Sequence, residues 1–216
     1  MKVLIACEFS GTVRDWFTSL GHDATSCDIE PTEKPGKHYQ GDVLDILDDG
    51  WDLMIAHPPC TYLTVTGNKW FYHPDDGHLP TSERRPHPRF PNRQQDRKDA
   101  VEFFMKLANA PIPRIAIENP IGVMSTIWRK PDQVIHPWQF GHEASKSTCL
   151  WLKNLPLLTP TKIVDKGEFI TYKSGKRMSK WYAEAASKDP KERERIRNRT
   201  FDGIASAFAH QWGGLL

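Results

Sequence analysis

The sequence has few cysteines, no long apolar run and almost no net charge. Only four of its 216 residues are cysteine, and none of them forms a Cys-x-x-Cys pair, which argues against a zinc ribbon and a disulfide framework. No apolar run approaches the roughly 20 residues of a membrane-spanning helix. The amino-terminal residues lack the long apolar region of a signal peptide. We therefore expect a cytoplasmic protein with reduced thiols and no membrane segment.

The net charge of +2 hides an uneven distribution. Residues 1–59 contain four lysines and arginines against eleven acids, whereas residues 160–199 contain twelve against six. A basic segment of this kind favours a polyanionic partner, although a solvated helix face has the same composition. The contents of 38% hydrophobic and 26% charged residues are typical of a soluble globular protein.

The first half of the sequence alternates between predicted strands and helices, and a further strand and helix are predicted later. Strands are predicted over 3–6, 23–29, 51–56, 114–118 and 148–152. Helices are predicted over 12–20, 93–108 and 204–212, with a short helix or turn over 43–47. This alternation predicts an α/β fold in which helices flank a mostly parallel sheet. Segment 30–41 is predicted to be a loop. Segment 61–92 has no periodicity, and a loop of this length is usually functional or disordered.

Polar or conformationally special residues follow most of the predicted strands. They are Glu8-Phe9-Ser10-Gly11, Asp28, Gly41-Asp42, His57-Pro58-Pro59-Cys60 and Glu118-Asn119-Pro120. The carboxyl ends of parallel strands meet at one edge of a sheet, where ligands bind, so we expect these residues to line one site. Each also has an ordinary structural interpretation: Gly11 as a turn, Asp28 as a surface acid and Asp42 as a helix cap.

Cys60 and Glu118 are the two candidates for chemistry. Two prolines fix where the Cys60 thiol points, so its thiolate could act as a nucleophile, although a lone cysteine is commonly a small buried apolar side chain. Glu118 follows a buried strand, which predicts a raised pKa and a carboxyl group able to present a proton. The alternative for Glu118 is a structural acid paired with an arginine. The histidines of segment 61–92 lack zinc-site spacing, so we expect no metal.

In this order and spacing, the residues that follow the predicted strands resemble the cytosine-5 DNA methyltransferases, in particular their small, phage-type branch. The resemblance covers residues 1–158 and resumes at Thr200-Phe201-Asp202-Gly203-Ile204-Ala205. It implies a Rossmann-like fold that uses S-adenosylmethionine, in a prokaryotic or virus-infected cell. It also implies a catalytic domain made of 1–158 plus 200–216, with a small basic substrate-contact insertion at 159–199.

The resemblance further implies roles for individual residues. Phe9, Ser10 and Gly11 would hold the amino-acid end of the cofactor. Asp28 would bind its ribose and Asp42 its adenine. The implied cofactor-binding residues are Phe9, Ser10, Gly11, Asp28, Ile29, Asp42, Val43 and Pro58. Cys60 would add to carbon 6 of cytosine, Glu118 would grip the base, Asn119 would position the loop, and Lys146 would replace a family arginine. The implied partner is DNA with a flipped or single-stranded cytosine.

Three positions depart from the family's pattern: Val13 stands where a second glycine is usual, Thr61 where a glutamine is usual, and Lys146 where an arginine is usual. The short insertion predicts short or relaxed sequence specificity. Its predicted phosphate-contacting and stacking residues are Lys162, Tyr172, Lys173, Lys176, Arg177, Lys180 and Trp181. Two alternatives stay open: the same chemistry on RNA or a free pyrimidine nucleotide, and a nucleic-acid-binding relative without catalysis.

Overall fold

A seven-stranded sheet forms the centre of the fold. The computed structural model describes residues 1–215, so the last residue of the predicted segment 200–216 lies outside the described residues. The strands are β1 (Lys2–Ala6), β2 (Asp23–Asp28), β3 (His38–Gln40), β4 (Leu53–Ala56), β5 (Arg114–Pro120), β6 (Gln133–Ile135) and β7 (Thr148–Lys153). Their order in the sheet is β3-β2-β1-β4-β5-β7-β6. The first five run parallel, and β7 runs antiparallel to both β5 and β6.

Helices cover both faces of this sheet. One face packs against α1 (Thr12–Ser19) and α6 (Asp202–Trp212), and the other against α2 (Arg93–Ala108) and α3 (Met124–Ile127). The central strands β1 and β4 are buried on both sides, which explains their continuous apolar sequences. The predicted α/β fold, with helices flanking a mostly parallel sheet, is therefore confirmed.

Segment 61–92 is folded around arginine and aromatic side chains. It contains short 3₁₀ helices at Val65–Trp70, Pro74–His78 and Thr81–Glu83. The guanidinium of Arg93, buried at the start of α2, lies 5.1 Å from the ring centre of Tyr62 and 5.4 Å from that of Phe71. Such a core rests on cation–π contacts, so it produces no repeating apolar pattern in the sequence.

The insertion at 159–199 also contains regular structure, which its polar composition did not predict. β8 (Phe169–Thr171) and β9 (Arg177–Ser179) pair as an antiparallel hairpin. They are followed by α4 (Lys180–Ala186) and α5 (Pro190–Asn198). Asp189 caps α5 by accepting hydrogen bonds from the backbone N–H groups of Lys191 and Glu192.

The remaining differences from prediction concern short elements. β3 lies inside the segment predicted to be a loop, and α3 and β6 were not predicted. Each of these elements spans only three or four residues, too few to show a period in the sequence. No helix within residues 1–215 is long and apolar enough to cross a membrane.

Candidate active site

The candidate site lies at the carboxyl edge of the parallel strands. From β1 the chain passes to β2 and β3 on one side and then returns to β4 and β5 on the other. The switch point therefore lies between the carboxyl ends of β1 and β4, the position where open α/β sheets bind ligands. Residues 8–11 follow β1 here and residues 57–60 follow β4. The backbone N–H of His57 donates a 2.9 Å hydrogen bond to Ala6.

A buried carboxylate occupies the N-terminus of α1. Glu8 accepts hydrogen bonds from the backbone N–H groups of Val13 (2.7 Å) and Arg14 (3.2 Å), and from the hydroxyl of Ser10 (3.1 Å). Its negative charge complements the positive end of the helix. Gly11 precedes the helix with φ of 69°, a left-handed conformation that favours glycine.

Arg14 holds the loop after β2 in place beside this turn. Its guanidinium is buried and donates to the hydroxyls of Ser26 and Thr32, each at 3.1 Å, and to the carbonyl of Pro35 at 3.0 Å. These bonds hold the loop after β2 against α1. Sequence reasoning assigned Arg14 no role. The available signal was its place in the amphipathic helix, three residues before the buried Phe17.

The acids after β2 and β3 lie at the same edge. Burial is the main cause that raises the pKa of Asp28, whose carboxylate accepts from the backbone N–H of Glu30 at 3.0 Å. Asp42 accepts from Leu44 at 3.0 Å and so caps the 3₁₀ helix Val43–Asp45, as its structural interpretation predicts. Burial raises the pKa of Cys27 to about 12, and the charges of Asp28 and Asp42 add to this effect.

The other four residues predicted for the cofactor differ in exposure. Ile29 is 76% exposed directly after β2, and Phe9 is partly buried, whereas Pro58 and Val43 are buried. Ile29 therefore presents most of its side chain at the surface, and Val43 belongs to the core.

The Pro-Pro-Cys turn after β4 is held by hydrogen bonds at both ends. The side-chain amide of Asn119 donates 2.8 Å to the carbonyl of Pro58, and this bond is buried. The carbonyl of Cys60 accepts from the backbone N–H groups of Leu63 and Thr64, each at 3.0 Å. The backbone that carries Cys60 is therefore held from β5 and from the following turn.

Charges around Cys60 act on its thiol in opposite directions. Burial raises the pKa of Cys60, and the carboxylate of Glu118 raises it further. The ammonium of Lys146 lowers the pKa of Cys60. The structure thus places the thiol, the carboxylate and the ammonium within electrostatic reach of one another.

Glu118 is ionised rather than poised to donate. Burial alone would raise its pKa, but the charge of Lys146 and the hydrogen bond with His57 together bring it below its ordinary value. His57 Nδ1 lies 3.2 Å from Glu118 Oε2. The predicted raised pKa is therefore wrong, because the prediction counted the burial and not the two basic neighbours. The alternative of an arginine partner is also wrong, since the hydrogen-bond partner is His57 and the cation that acts on the carboxylate is Lys146.

Lys146 connects the site to the insertion. Its ammonium donates 3.1 Å to the carbonyl of Arg197, in the last turn of α5. Glu33, in the loop after β2, forms ion pairs with Arg199 (2.6 Å) and Arg195 (3.8 Å). The end of α5 is therefore held by the hydrogen bond from Lys146 and by the ion pairs with Glu33.

A small cavity remains between the end of β5 and the start of α6. It is lined by Glu118, Lys146, Thr148, Thr200, Phe201 and Ile204. Its volume of about 10 Å³ is enough for roughly one water molecule. Within residues 1–215, no three His, Cys, Asp or Glu side chains are grouped so as to hold a metal ion.

Among known proteins, similarity to this chain is found in solved structures. No protein-family model matches the sequence, and no curated protein matches it. One similar solved structure is described as a "putative DNA modification methyltransferase" encoded within an E. coli prophage. It aligns with a TM-score of 0.43 and 14% identity, over 76% of this chain and 51% of that one. The chain thus spans about half the length of that protein.

Proposed function

We propose that this protein transfers a methyl group from S-adenosylmethionine to carbon 5 of cytosine in DNA. The observation that carries the proposal is that Cys60 and Glu118 lie at the carboxyl ends of the neighbouring strands β4 and β5, while Lys146, from the segment before β7, lines the same cavity as Glu118 and acts electrostatically on both. A nucleophile, a hydrogen-bonding carboxyl group and a cation are the groups that addition to a pyrimidine ring requires. They lie beside a glycine turn at the switch point of the sheet, where a cofactor would bind.

The turn after β1 suits a cofactor without phosphate. In dinucleotide sites the N–H groups of the helix N-terminus bind a pyrophosphate. Here the carboxylate of Glu8 already accepts from those groups, so they are not free to bind a pyrophosphate. S-adenosylmethionine carries no phosphate, and acids at the edge would complement its sulfonium and its ammonium.

The cofactor would be held by side chains and backbone from four strand ends. Its amino-acid end would lie at residues 9–11, its ribose at Asp28 and its adenine at Asp42. Ile29, Val43 and Pro58 would complete the pocket. When bound, the cofactor supplies an electrophilic methyl group. Asp28 is the best supported of these residues, because its carboxylate is partly desolvated at the end of β2 and has a raised pKa.

Cys60 would make the base reactive. Carbon 5 of an aromatic cytosine is a poor nucleophile. Addition of the Cys60 thiolate to carbon 6 breaks the aromaticity and gives carbon 5 the character of an enamine. After carbon 5 has gained the methyl group, a base removes its proton and the thiolate leaves with the bonding pair to carbon 6.

Glu118 and Lys146 would stabilise the charges of this addition. Glu118 would bind the ring nitrogen 3 and the amino group of the base, where charge develops. Lys146 favours both anions, because its ammonium lowers the pKa of Glu118 and of Cys60. Removing one such donor from a preorganised site typically costs about 10²–10³ in rate.

The base needs more room than this structure offers. The cavity lined by Glu118 and Lys146 has a volume of about 10 Å³, which does not admit a pyrimidine, so the site must open before a base can bind. The target base must also leave its duplex stack to reach Cys60. The insertion 159–199 would contact the DNA through exposed Lys173, Lys176 and Arg177 of the β8–β9 hairpin. Exposed Tyr172 would stack against a base.

Tritiated S-adenosylmethionine tests the proposal directly. We expect label in carbon 5 of cytosine in DNA with the wild type and none with Cys60→Ser. Cys149→Ala, which replaces a buried cysteine of β7, should retain the label. Label found only in RNA or in a free nucleotide would mean that this molecule, and not DNA, is the substrate. Activity that does not depend on salt concentration would favour the free nucleotide. Label in an exocyclic amine would contradict the chemistry, and DNA binding without label would favour a non-catalytic relative.

A 5-fluorocytosine oligonucleotide tests the covalent step separately. Fluorine in place of the carbon 5 proton blocks the final elimination, so the adduct with Cys60 persists. We expect a mass increase on the peptide that contains Cys60, dependent on the cofactor. A wild type that methylates DNA but forms no adduct under turnover conditions would contradict the mechanism.

A further inference from the structure

The chain directly after Cys60 is bonded to two arginines of α2. Nη2 of Arg93 donates a 3.0 Å hydrogen bond to the carbonyl of Thr61, and Nε of Arg97 donates 2.8 Å to the carbonyl of Tyr62. The two arginines are four residues apart in the helix, so their side chains lie on the same face. Each of the two residues that follow the candidate nucleophile is therefore held by a bond from a charged donor, which is stronger than a bond between neutral groups.

These guanidinium groups are surrounded by aromatic rings. That of Arg97 lies 3.9 Å from the ring centre of Phe71, and that of Arg93 lies 5.1 to 5.8 Å from the ring centres of Tyr62, Phe71 and Phe90. No carboxylate among residues 1–215 forms an ion pair with either arginine. Arg93 is only 5% exposed, and its Nε has no hydrogen-bond partner within the same residues. Because a buried cation without an anion is costly, stability alone would favour an apolar side chain here.

The chain before Cys60 is held from another element. Asn119, at the end of β5, donates its 2.8 Å bond to the carbonyl of Pro58. Residues 58–62 are therefore bonded two positions before the thiol and one and two positions after it. The helix α2 and the strand β5 pack in one hydrophobic cluster, so the donors on both sides belong to the same rigid core. A shift of the backbone at Cys60 would strain these bonds.

We infer that Arg93 and Arg97 are positioning residues that set where the Cys60 thiol meets the base. This inference rests on the proposed function. Addition to carbon 6 requires the sulfur to lie about 3–3.5 Å from that carbon in the correct direction, and a displacement of about 1 Å can cost 10²-fold in rate. Arginine bonded to carbonyls and rings holds the turn without placing a further carboxylate near the thiol, where an anion would disfavour the thiolate.

The two arginines would act through the backbone and not through the charge of the thiol. The charges that act on the pKa of Cys60 are those of Glu118, Lys146 and Glu194. Variants of Arg93 and Arg97 should therefore change the reactivity of Cys60 without moving its pKa. Variants of Glu118 or Lys146 should move that pKa, so the two kinds of effect can be told apart.

Side-chain replacements separate these bonds from the fold. Arg93→Met and Arg97→Met keep an unbranched side chain against the rings and remove the donors. Arg97→Lys keeps a cation, whose ammonium can reach the carbonyl of Tyr62. Asn68→Ala is the matched control, because Asn68 is exposed, lies outside residues 58–62 and accepts the second bond of Arg97, from Nη2 at 2.8 Å.

Three measurements are made on each variant. Single-turnover transfer of tritium to a cytosine oligonucleotide at saturation gives the rate, alkylation of Cys60 by iodoacetamide against pH gives the pKa and accessibility of the thiol, and thermal unfolding gives stability. Both methionine variants should lose about 10²-fold in rate with an unchanged KM for the cofactor. The pKa of Cys60 should stay the same, its thiolate should be alkylated faster, and the melting temperature should change by a few degrees at most. Arg97→Lys should recover most of the rate, and Asn68→Ala should match the wild type.

Several results would overturn the role and leave the proposed function intact. One is a pair of folded methionine variants with the wild-type rate and alkylation. Another is a rate loss with a shifted pKa of Cys60, because the arginines would then act by charge. Loss of folding in both variants would also overturn it, because the arginines would then be required by the fold itself. A wild type that labels no cytosine substrate would remove the proposed function, whereas alkylation of Cys60 would still report whether Arg93 and Arg97 hold the turn.

Discussion

The side-chain amide of Asn119 donates a 2.8 Å hydrogen bond to the carbonyl of Pro58. Asn119 lies at the end of β5, next to Glu118, and Pro58 opens the turn that carries Cys60. One buried bond therefore fixes the separation between the strand that holds the carboxylate and the turn that holds the thiol. The family resemblance implies that Asn119 positions the loop, and that role stays a prediction, for which this bond supplies a geometry.

Replacing Asn119 with alanine should destabilise the fold and loosen the turn. The carbonyl of Pro58 would remain buried without a donor, which costs about 1–3 kcal/mol in the free energy of unfolding. Urea denaturation measures this loss. Asn154→Gly is the matched control, because Asn154 donates a 2.8 Å bond to Pro113 at an exposed site and has φ of 54°, which glycine tolerates. A loss no larger for Asn119→Ala than for the control would contradict the structural role.

The ionisation of Cys60 should follow the charge of its two neighbours. Glu118→Gln removes an anion that disfavours the thiolate, so it should lower the pKa of Cys60. Lys146→Met removes a cation that favours the thiolate, so it should raise the pKa of Cys60. The rate of iodoacetamide alkylation against pH, read by mass spectrometry on the Cys60 peptide, measures both shifts. Shifts of the same sign in the two variants would contradict the arrangement.

The parallel strands at the centre of the sheet could be predicted from the sequence, because burial on both faces requires an uninterrupted run of apolar residues. The apolar residues of β1 and β4 form uninterrupted runs, and Gly11 and Asp28 mark where strands end. β3 and β6 were missed because three-residue strands bonded mainly through their backbone require little of their side chains. The antiparallel direction of β7 was equally hidden, since a buried strand has the same composition in either direction.

The site could be predicted only in part, because charged residues that act on one another in the fold lie far apart in the sequence. Cys60 and Glu118 were identified by their place after buried strands. The lowered pKa of Glu118 depends on Lys146, which arrives from the segment before β7, and on His57, which lies beside it across the sheet. The ion pair that holds the end of α5 joins Arg199 to Glu33, which lies 166 residues earlier in the sequence. No local pattern in the sequence reports either relationship.

Glu8 should contribute to stability through its charge as well as its hydrogen bonds. Glu8→Gln keeps the size of the side chain, but its amide group would face a backbone N–H of α1 and its charge no longer complements the helix. We expect a loss of about 1–2 kcal/mol in the free energy of unfolding, measured by urea denaturation. Glu30→Gln, on the exposed loop after β2, should cost much less. Equal losses would show that the bonds of Glu8 do not cap α1.

Glu33 should control how often the end of α5 opens. Its carboxylate pairs with Arg199 at 2.6 Å and Arg195 at 3.8 Å, from the loop that Arg14 fixes against α1. Glu33→Gln removes both ion pairs, so amide hydrogen exchange across residues 190–199 should accelerate. The free energy of global unfolding should change by less than about 1 kcal/mol, because these pairs reach the surface. High salt should accelerate exchange in the wild type and much less in the variant.

Glu192→Gln is the matched control for Glu33, because within residues 1–215 Glu192 forms an ion pair with Lys188 alone, just before α5, at 3.5 Å. It should leave exchange at the end of α5 close to that of the wild type. If the Glu33 pairs hold α5 over the site, Glu33→Gln should also free Lys146 from Arg197 more often and admit the base more readily. KM for the oligonucleotide should then fall while the rate at saturation changes little. Faster exchange in α5 with an unchanged KM would mean that the entrance lies elsewhere.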